Sequence, residues 1–119
     1  MNETITTMPL LPLRGLVLYP DMILHFDLGR ETSIRAAEYA MGNNTPVFLV
    51  AQRDIKDENP GVDALYGIGT VAQVRQVLRL PGNDVRILVE GTSRARLIGI
   101  TEDEPYKKAE VELLETVPA

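Results

Sequence analysis

Apolar and polar positions alternate along most of this chain, and the alternation marks strands. In "MILHFDL" (22–28), Met22, Leu24, Phe26 and Leu28 share one face while Ile23, His25 and Asp27 share the other. That period of two belongs to a strand packed on one side. "PVFLVAQ" (46–52) is apolar at consecutive positions, which predicts a central strand covered on both faces. "IGTVAQVRQVLRL" (68–80) is a longer strand whose apolar face runs Ile68, Ala72, Val74 and then shifts phase to Val77, as a β-bulge does. "LPGNDV" is a hairpin turn, with Pro81 fixing φ and Gly82-Asn83 tolerating positive φ. The return strand "DVRILVE" places Val85, Ile87 and Val89 inward and Arg86 and Glu90 outward. "GTS" (91–93) reads as a further turn before a strand in "RARLIGI". After the acidic turn "TEDEP", the segment "YKKAEVELLE" sets Ala109, Val111 and Leu113 against Lys108, Glu110 and Glu112.

Only "ETSIRAAEYAMGNN" has a helical period, with Ile34, Ala37 and Met41 on one face. Thr32 or Ser33 is the expected cap at its start, and Gly42-Asn43 the expected left-handed stop. The N-terminal run "MPLLPLRGLVLYPDMILHF" is densely apolar yet broken by Pro9, Pro12 and Pro20. Proline removes a ladder donor, so residues 8–14 are expected as an extended segment with a partner on one side only. The order is β–β–α–β–β–β–β–β. The expected class is mainly β with one inserted helix (α+β), an antiparallel pseudo-barrel. The proline-broken segment belongs at its seam, where its leucines are buried without a full ladder on both sides.

The 119 residues fit one domain with a core that needs no staples. There is no cysteine, which excludes disulfides and thiolate metal sites. The N-terminus lacks a basic and an apolar signal region, and "PVFLVA" is too short to span a bilayer. A soluble, intracellular protein is expected. The net charge of −5 opposes wholesale phosphate binding. Charge is nevertheless uneven: Arg75, Arg79, Arg86, Arg94 and Arg96 cluster late, and Asp54, Asp57, Glu58 and Asp63 cluster in mid-chain. These are either solvated faces of opposite sign or a charged docking edge.

No enzymatic constellation is visible. His25 is the one histidine and sits between Leu24 and Phe26 on a strand, the place of a structural or surface residue. No glycine is followed by lysine, so the phosphate loop of NTPases is absent. "GIGTVA" has the wrong spacing for a dinucleotide loop and precedes a strand. The arginines lack interleaved aromatics for stacking bases. Two apolar stretches fall in expected loops, "LVLYP" (16–20) and "ALYG" (64–67). Leu16, Val17, Tyr19, Leu65 and Tyr66 are therefore candidate protein-binding residues, because tyrosine pairs an apolar body with a polar tip. The alternative is that they cover the ends of the barrel.

"PLLPLRGLVLYPDMILHFDLGRETSIRAAEYAM", "FLVAQRD" and "GTVAQVRQVLRLPGNDVRILVEGTSRARL" resemble the N-terminal domain of bacterial Lon proteases. The "LPLRGLVLYP" opening and the "VEGTSRARL" element carry most of the resemblance. It implies a PUA-like β-fold over residues 8–115, with 1–7 a flexible N-terminus and 116–119 the start of a linker. In that family the domain precedes a helical linker, an AAA+ ATPase and a serine–lysine peptidase, together a cytoplasmic, ATP-dependent serine endopeptidase. The resemblance implies a non-catalytic role here. The domain would help recruit unfolded or damaged proteins and support assembly of the ring with other Lon subunits. The family's catalytic residues have no counterparts in this sequence. No cofactor is expected in this domain, since ATP and magnesium bind elsewhere in the full-length enzyme, and neither membrane nor nucleic acid is an expected partner. Two other readings fit the same residues. One is a free-standing Lon-domain protein without peptidase. The other is a PUA-like RNA-binding module using the five arginines.

Overall fold

The computed structural model describes residues 5–13, 21–52, 65, 67–82, 84–102 and 106–114. Its elements are β1 (Ile5–Leu13), β2 (Ile23–Leu28), α1 (Glu31–Asn43), β3 (Pro46–Ala51), β4 (Ile68–Arg79), β5 (Val85–Glu102) and β6 (Lys108–Leu113). The strand order is β2-β5-β4-β3-β1-β6, with a further β5–β6 pairing. That last pairing closes β5, β4, β3, β1 and β6 into a ring, to which β2 is attached along the first half of β5.

β1 resolves the proline problem by changing partners. Residues Ile5 to Pro9 pair antiparallel with β6, and Leu10 to Leu13 pair parallel with β3. Each half has one neighbour, so Pro9 and Pro12 remove few ladder donors. Leu10 N–H donates to the Lys107 carbonyl at 2.8 Å, and Gln52 N–H donates to the Leu13 carbonyl at 2.8 Å. Two expectations change here. The strand begins at Ile5, within the stretch expected to be a flexible N-terminus. The β1–β3 pairing is parallel, so the sheet is not purely antiparallel.

β3 is central, and its alternation divides the core in two. Phe48 and Val50 join Met8, Leu10, Leu65, Val71, Ala95, Leu97, Ala109 and Val111. All five ring strands contribute to this cluster, which is the barrel interior. Val47 and Leu49 point the other way, into a layer with Leu11, Leu13, Ala72, Val74, Val85, Ile87, Val89 and the helix.

α1 lies on that layer through Ser33, Ile34, Ala36, Ala37 and Ala40. Its alanines permit close approach to the sheet. The expected face is corrected at one end: Met41 is 45% exposed, and Ala40 is buried in its place. At 3.6 residues per turn, Ser33, Ala37 and Ala40 form the centre of the buried face, and Met41 falls on its rim. The caps also differ. Arg30 is the N-cap, in extended conformation and without a side-chain hydrogen bond, so Thr32 and Ser33 lie inside the first turn. The left-handed residue is Asn44 (φ 55°), one position beyond the expected stop, and Thr45 N–H donates to the Ala40 carbonyl at 3.0 Å. Asparagine tolerates this conformation, so glycine is not required.

Among the described residues six strands form where seven were expected, because "GTS" is not a turn. Val71 faces Ser93 and Ala72 faces Gly91, which leaves Thr92 as the extra residue of a bulge. Thr92 Oγ1 donates to the Val71 carbonyl at 3.0 Å, and Gly91 bonds to the chain just before β2. These bonds hold the backbone in the sheet, so β5 bends and continues. The shift anticipated in β4 is present between Val74 and Gln76, with Arg75 as the extra residue. A bulge bends a strand, as closing a small barrel requires.

Val85, Ile87 and Val89 are all 0% exposed, while Arg86 between them is exposed. Ile87→Ala is expected to cost about 2–4 kcal/mol in urea melts. Arg86→Ala should barely move the midpoint. Similar losses from both would contradict the register.

Candidate functional site

Four of the candidate loop residues, Leu16, Val17, Tyr19 and Tyr66, lie outside the described residues. Leu65 is described, and it is 2% exposed within the barrel-interior cluster. An isolated bridge to Gln52 holds it there. Its side chain is therefore a plug of the interior and offers no surface to a partner.

The structure places another surface close to β2. The outer faces of β2, β5 and β4 lie side by side, in rows fixed by the register. His25 pairs with Leu88, which pairs with Gln76; Asp27 pairs with Arg86, which pairs with Leu78. Ile23 opens the next row opposite Glu90 and is 61% exposed. His25, Gln76, Leu78, Arg86 and Leu88 line a shallow groove of about 190 Å³. Sequence alternation assigned Ile23 and His25 to an outer face. It could not show that, among the described residues, no helix covers that face, because α1 packs on the opposite side of the sheet.

The charges around this groove are matched within the protein. Arg86 Nε donates to Asp27 Oδ1 at 2.8 Å, and Arg75 Nη2 to Glu90 Oε1 at 2.7 Å. The hydrogen bond from Arg86 holds the Asp27 carboxyl below the ordinary aspartate value, and the same bond raises the Arg86 guanidinium. Elsewhere Arg79 pairs with Glu38 and Arg96 with Glu112. Arg75, Arg79, Arg86 and Arg96 thus each meet a carboxylate at the surface. Such exposed pairs contribute little to stability, but they neutralise the edge that a phosphate backbone would need.

A second, wider cleft of about 530 Å³ lies between the start of α1 and the β4–β5 hairpin. Glu31, Arg35, Glu38, Arg79 and Asp84 line it. Glu31–Arg35 is an ion pair within α1, and Glu38–Arg79 joins the helix to β4, so the cleft is bridged by the second pair. Among the described residues, no group of three or more His, Cys, Asp or Glu side chains is arranged to hold a metal ion. No helix among them is long and apolar enough to cross a membrane.

Comparison with known proteins agrees with this architecture. The family model described as "ATP-dependent protease La (LON) substrate-binding domain" matches residues 7–119. The Lon protease of Desulforamulus reducens is 47% identical over 112 residues, covering 94% of this chain and 14% of the relative. Lon protease 1 of Bacillus subtilis is 43% identical over 113 residues, covering 95% of this chain and 15% of the relative. The chain thus spans about one seventh of the length of these curated relatives. Among solved structures, the N-terminal domain of Mycobacterium avium complex Lon protease superposes with a TM-score of 0.67 at 21% identity. That match covers 96% of this chain and 56% of the other. The Lon N-terminal domain protein of Xanthomonas campestris gives 0.69 at 16% identity, covering 92% and 60%. The bent barrel, its inserted helix and the family match over 7–119 lead to one assignment: this chain belongs to the Lon substrate-binding domain family.

Proposed function

We propose that this chain is the non-catalytic, client-holding module of a cytoplasmic Lon-type, ATP-dependent protease. It receives unfolded or damaged proteins and supports assembly of the ring. The observation that carries this reading is the substrate-binding-domain match over residues 7–119. Hydrolysis and ATP use belong to other parts of such enzymes, and this domain needs neither metal nor nucleotide. The matched surface charges support the choice of protein over RNA, because they leave little net attraction for phosphate.

Contact through a few apolar side chains leaves little surplus after the cost of association, so each domain binds weakly. Several copies on one ring raise the effective concentration and restore avidity. Leu16, Val17, Tyr19 and Tyr66 are proposed contributors, on the strength of their apolar loop sequences. The purified chain should hydrolyse neither ATP nor casein, and Tyr19→Ser and Tyr66→Ser should each weaken capture of an unfolded protein in a chemical-shift titration. Activity that survives repurification would overturn the inert role. Binding unchanged in both folded variants would remove these loops from the contact.

A further inference from the structure

Barrel closure leaves the outer edge of β2 without a neighbouring strand among the described residues. β2 pairs with β5 through Ile23 to Leu28, and its other edge meets no strand among them. Backbone groups in an antiparallel pair alternate between facing the partner and facing away. Gly91 N–H donates to the Met22 carbonyl at 2.8 Å, which turns Met22 toward β5. By alternation Leu24, Phe26 and Leu28 also face β5. The N–H and C=O groups of Ile23, His25 and Asp27 therefore point outward along the free edge.

The surface beside that edge is half apolar and internally neutral. Ile23 is 61% exposed and Leu78 46%. The Arg86–Asp27 and Arg75–Glu90 pairs bracket this strip, and each cancels its own charge. Such a strip matches a segment without net charge and gives a charged one no counter-ion. An outward row of main-chain donors and acceptors serves any sequence, since every peptide carries the same groups. Side chains at alternate positions would then pack beside Ile23 and add preference for apolar residues.

We propose that an extended, uncharged segment of an unfolded polypeptide adds to the barrel as a new strand along β2, bonded to the backbone of Ile23, His25 and Asp27. This rests on the client-holding role proposed above and places that contact at a backbone edge. The strand is short and carries His25 and Asp27 at its edge, features that blunt an edge against self-association. Capture along it is therefore weak and reversible.

Amide hydrogen exchange tests the proposal on the whole chain, alone and with reduced, carboxamidomethylated α-lactalbumin as the unfolded probe. In the free protein the Ile23, His25 and Asp27 amides exchange fast, while those of Leu24 and Leu28 are protected. Adding the probe slows the first three. His25→Pro deletes one outward N–H at a site where an edge strand accepts proline. It should weaken binding about tenfold, the equivalent of one net hydrogen bond. If that variant does not fold, a short capped peptide alternating valine and threonine makes the same test. Methylating its alternate backbone nitrogens should abolish its binding. Protection of the three amides in the free protein would overturn the proposal, as would protection that grows with protein concentration alone, which marks a second copy on the edge. Probe binding that leaves the amides fast would overturn strand addition while sparing the client-holding role. No probe binding at all would overturn both.

Discussion

Phe48→Ala is expected to destabilise the protein more than any other truncation in the barrel interior. Phe48 is 0% exposed and is the largest fully buried side chain among the described residues. It projects from the central strand into a cluster fed by every strand of the ring. Removing the ring deletes its apolar burial and leaves a cavity among neighbours that β-ladders hold on both sides. Phe→Ala changes at such sites cost about 3–5 kcal/mol. A domain of this size has a total stability on the order of 5–15 kcal/mol, so the variant should lose much of its cooperative transition. Urea unfolding followed by circular dichroism checks this. A loss below about 1 kcal/mol would mean that the interior is not packed around Phe48.

Gly69→Ala should be the most costly small addition. A Cβ built at Gly69 would lie 2.5 Å from the Leu49 carbonyl oxygen and 2.7 and 2.9 Å from Cζ and Cε1 of Phe48. The oxygen belongs to the central strand and cannot swing aside as a side-chain tip can. Overpacking of this kind costs about 1–3 kcal/mol. The two contacts are separable. In a Phe48→Leu background the clash with the ring disappears while the carbonyl remains, so Gly69→Ala should cost less there than in the parent protein. Equal costs in both backgrounds would mean that the ring takes no part.

Gly69 also marks the reach of sequence reading. "GIGTVA" is recognisable as strand and not as a nucleotide loop, but the reason for glycine lies on another strand. Local alternation was enough for β2, β3 and the first half of β5, because burial on one or both faces writes itself into neighbouring positions. Pro9 and Pro12 correctly implied one-sided pairing for β1. The parallel partner of β1 was not legible, since Leu10 to Leu13 meet Phe48 to Ala51 across a long separation in the chain. "GTS" misled because its composition is that of a turn. Its fate was decided by Thr92 bonding to Val71 and by Gly91 bonding to the chain before β2. The candidate site was the least legible. Tyrosines and leucines in loops look alike whether they face solvent or plug a barrel, and Leu65 plugs it. The free edge of β2 was invisible until ring closure showed which strands had both neighbours.

Holding of unfolded clients is tested most directly by fluorescence anisotropy. Labelled reduced, carboxamidomethylated α-lactalbumin, its native form and a single-stranded RNA are each titrated with this protein at low and high salt. The client-holding role predicts saturable binding of the unfolded form alone, with a dissociation constant on the order of 10–1000 μM that salt changes little. Equal binding of the native form, no saturation below about 1 mM, or tighter and steeply salt-dependent binding of the RNA would contradict it.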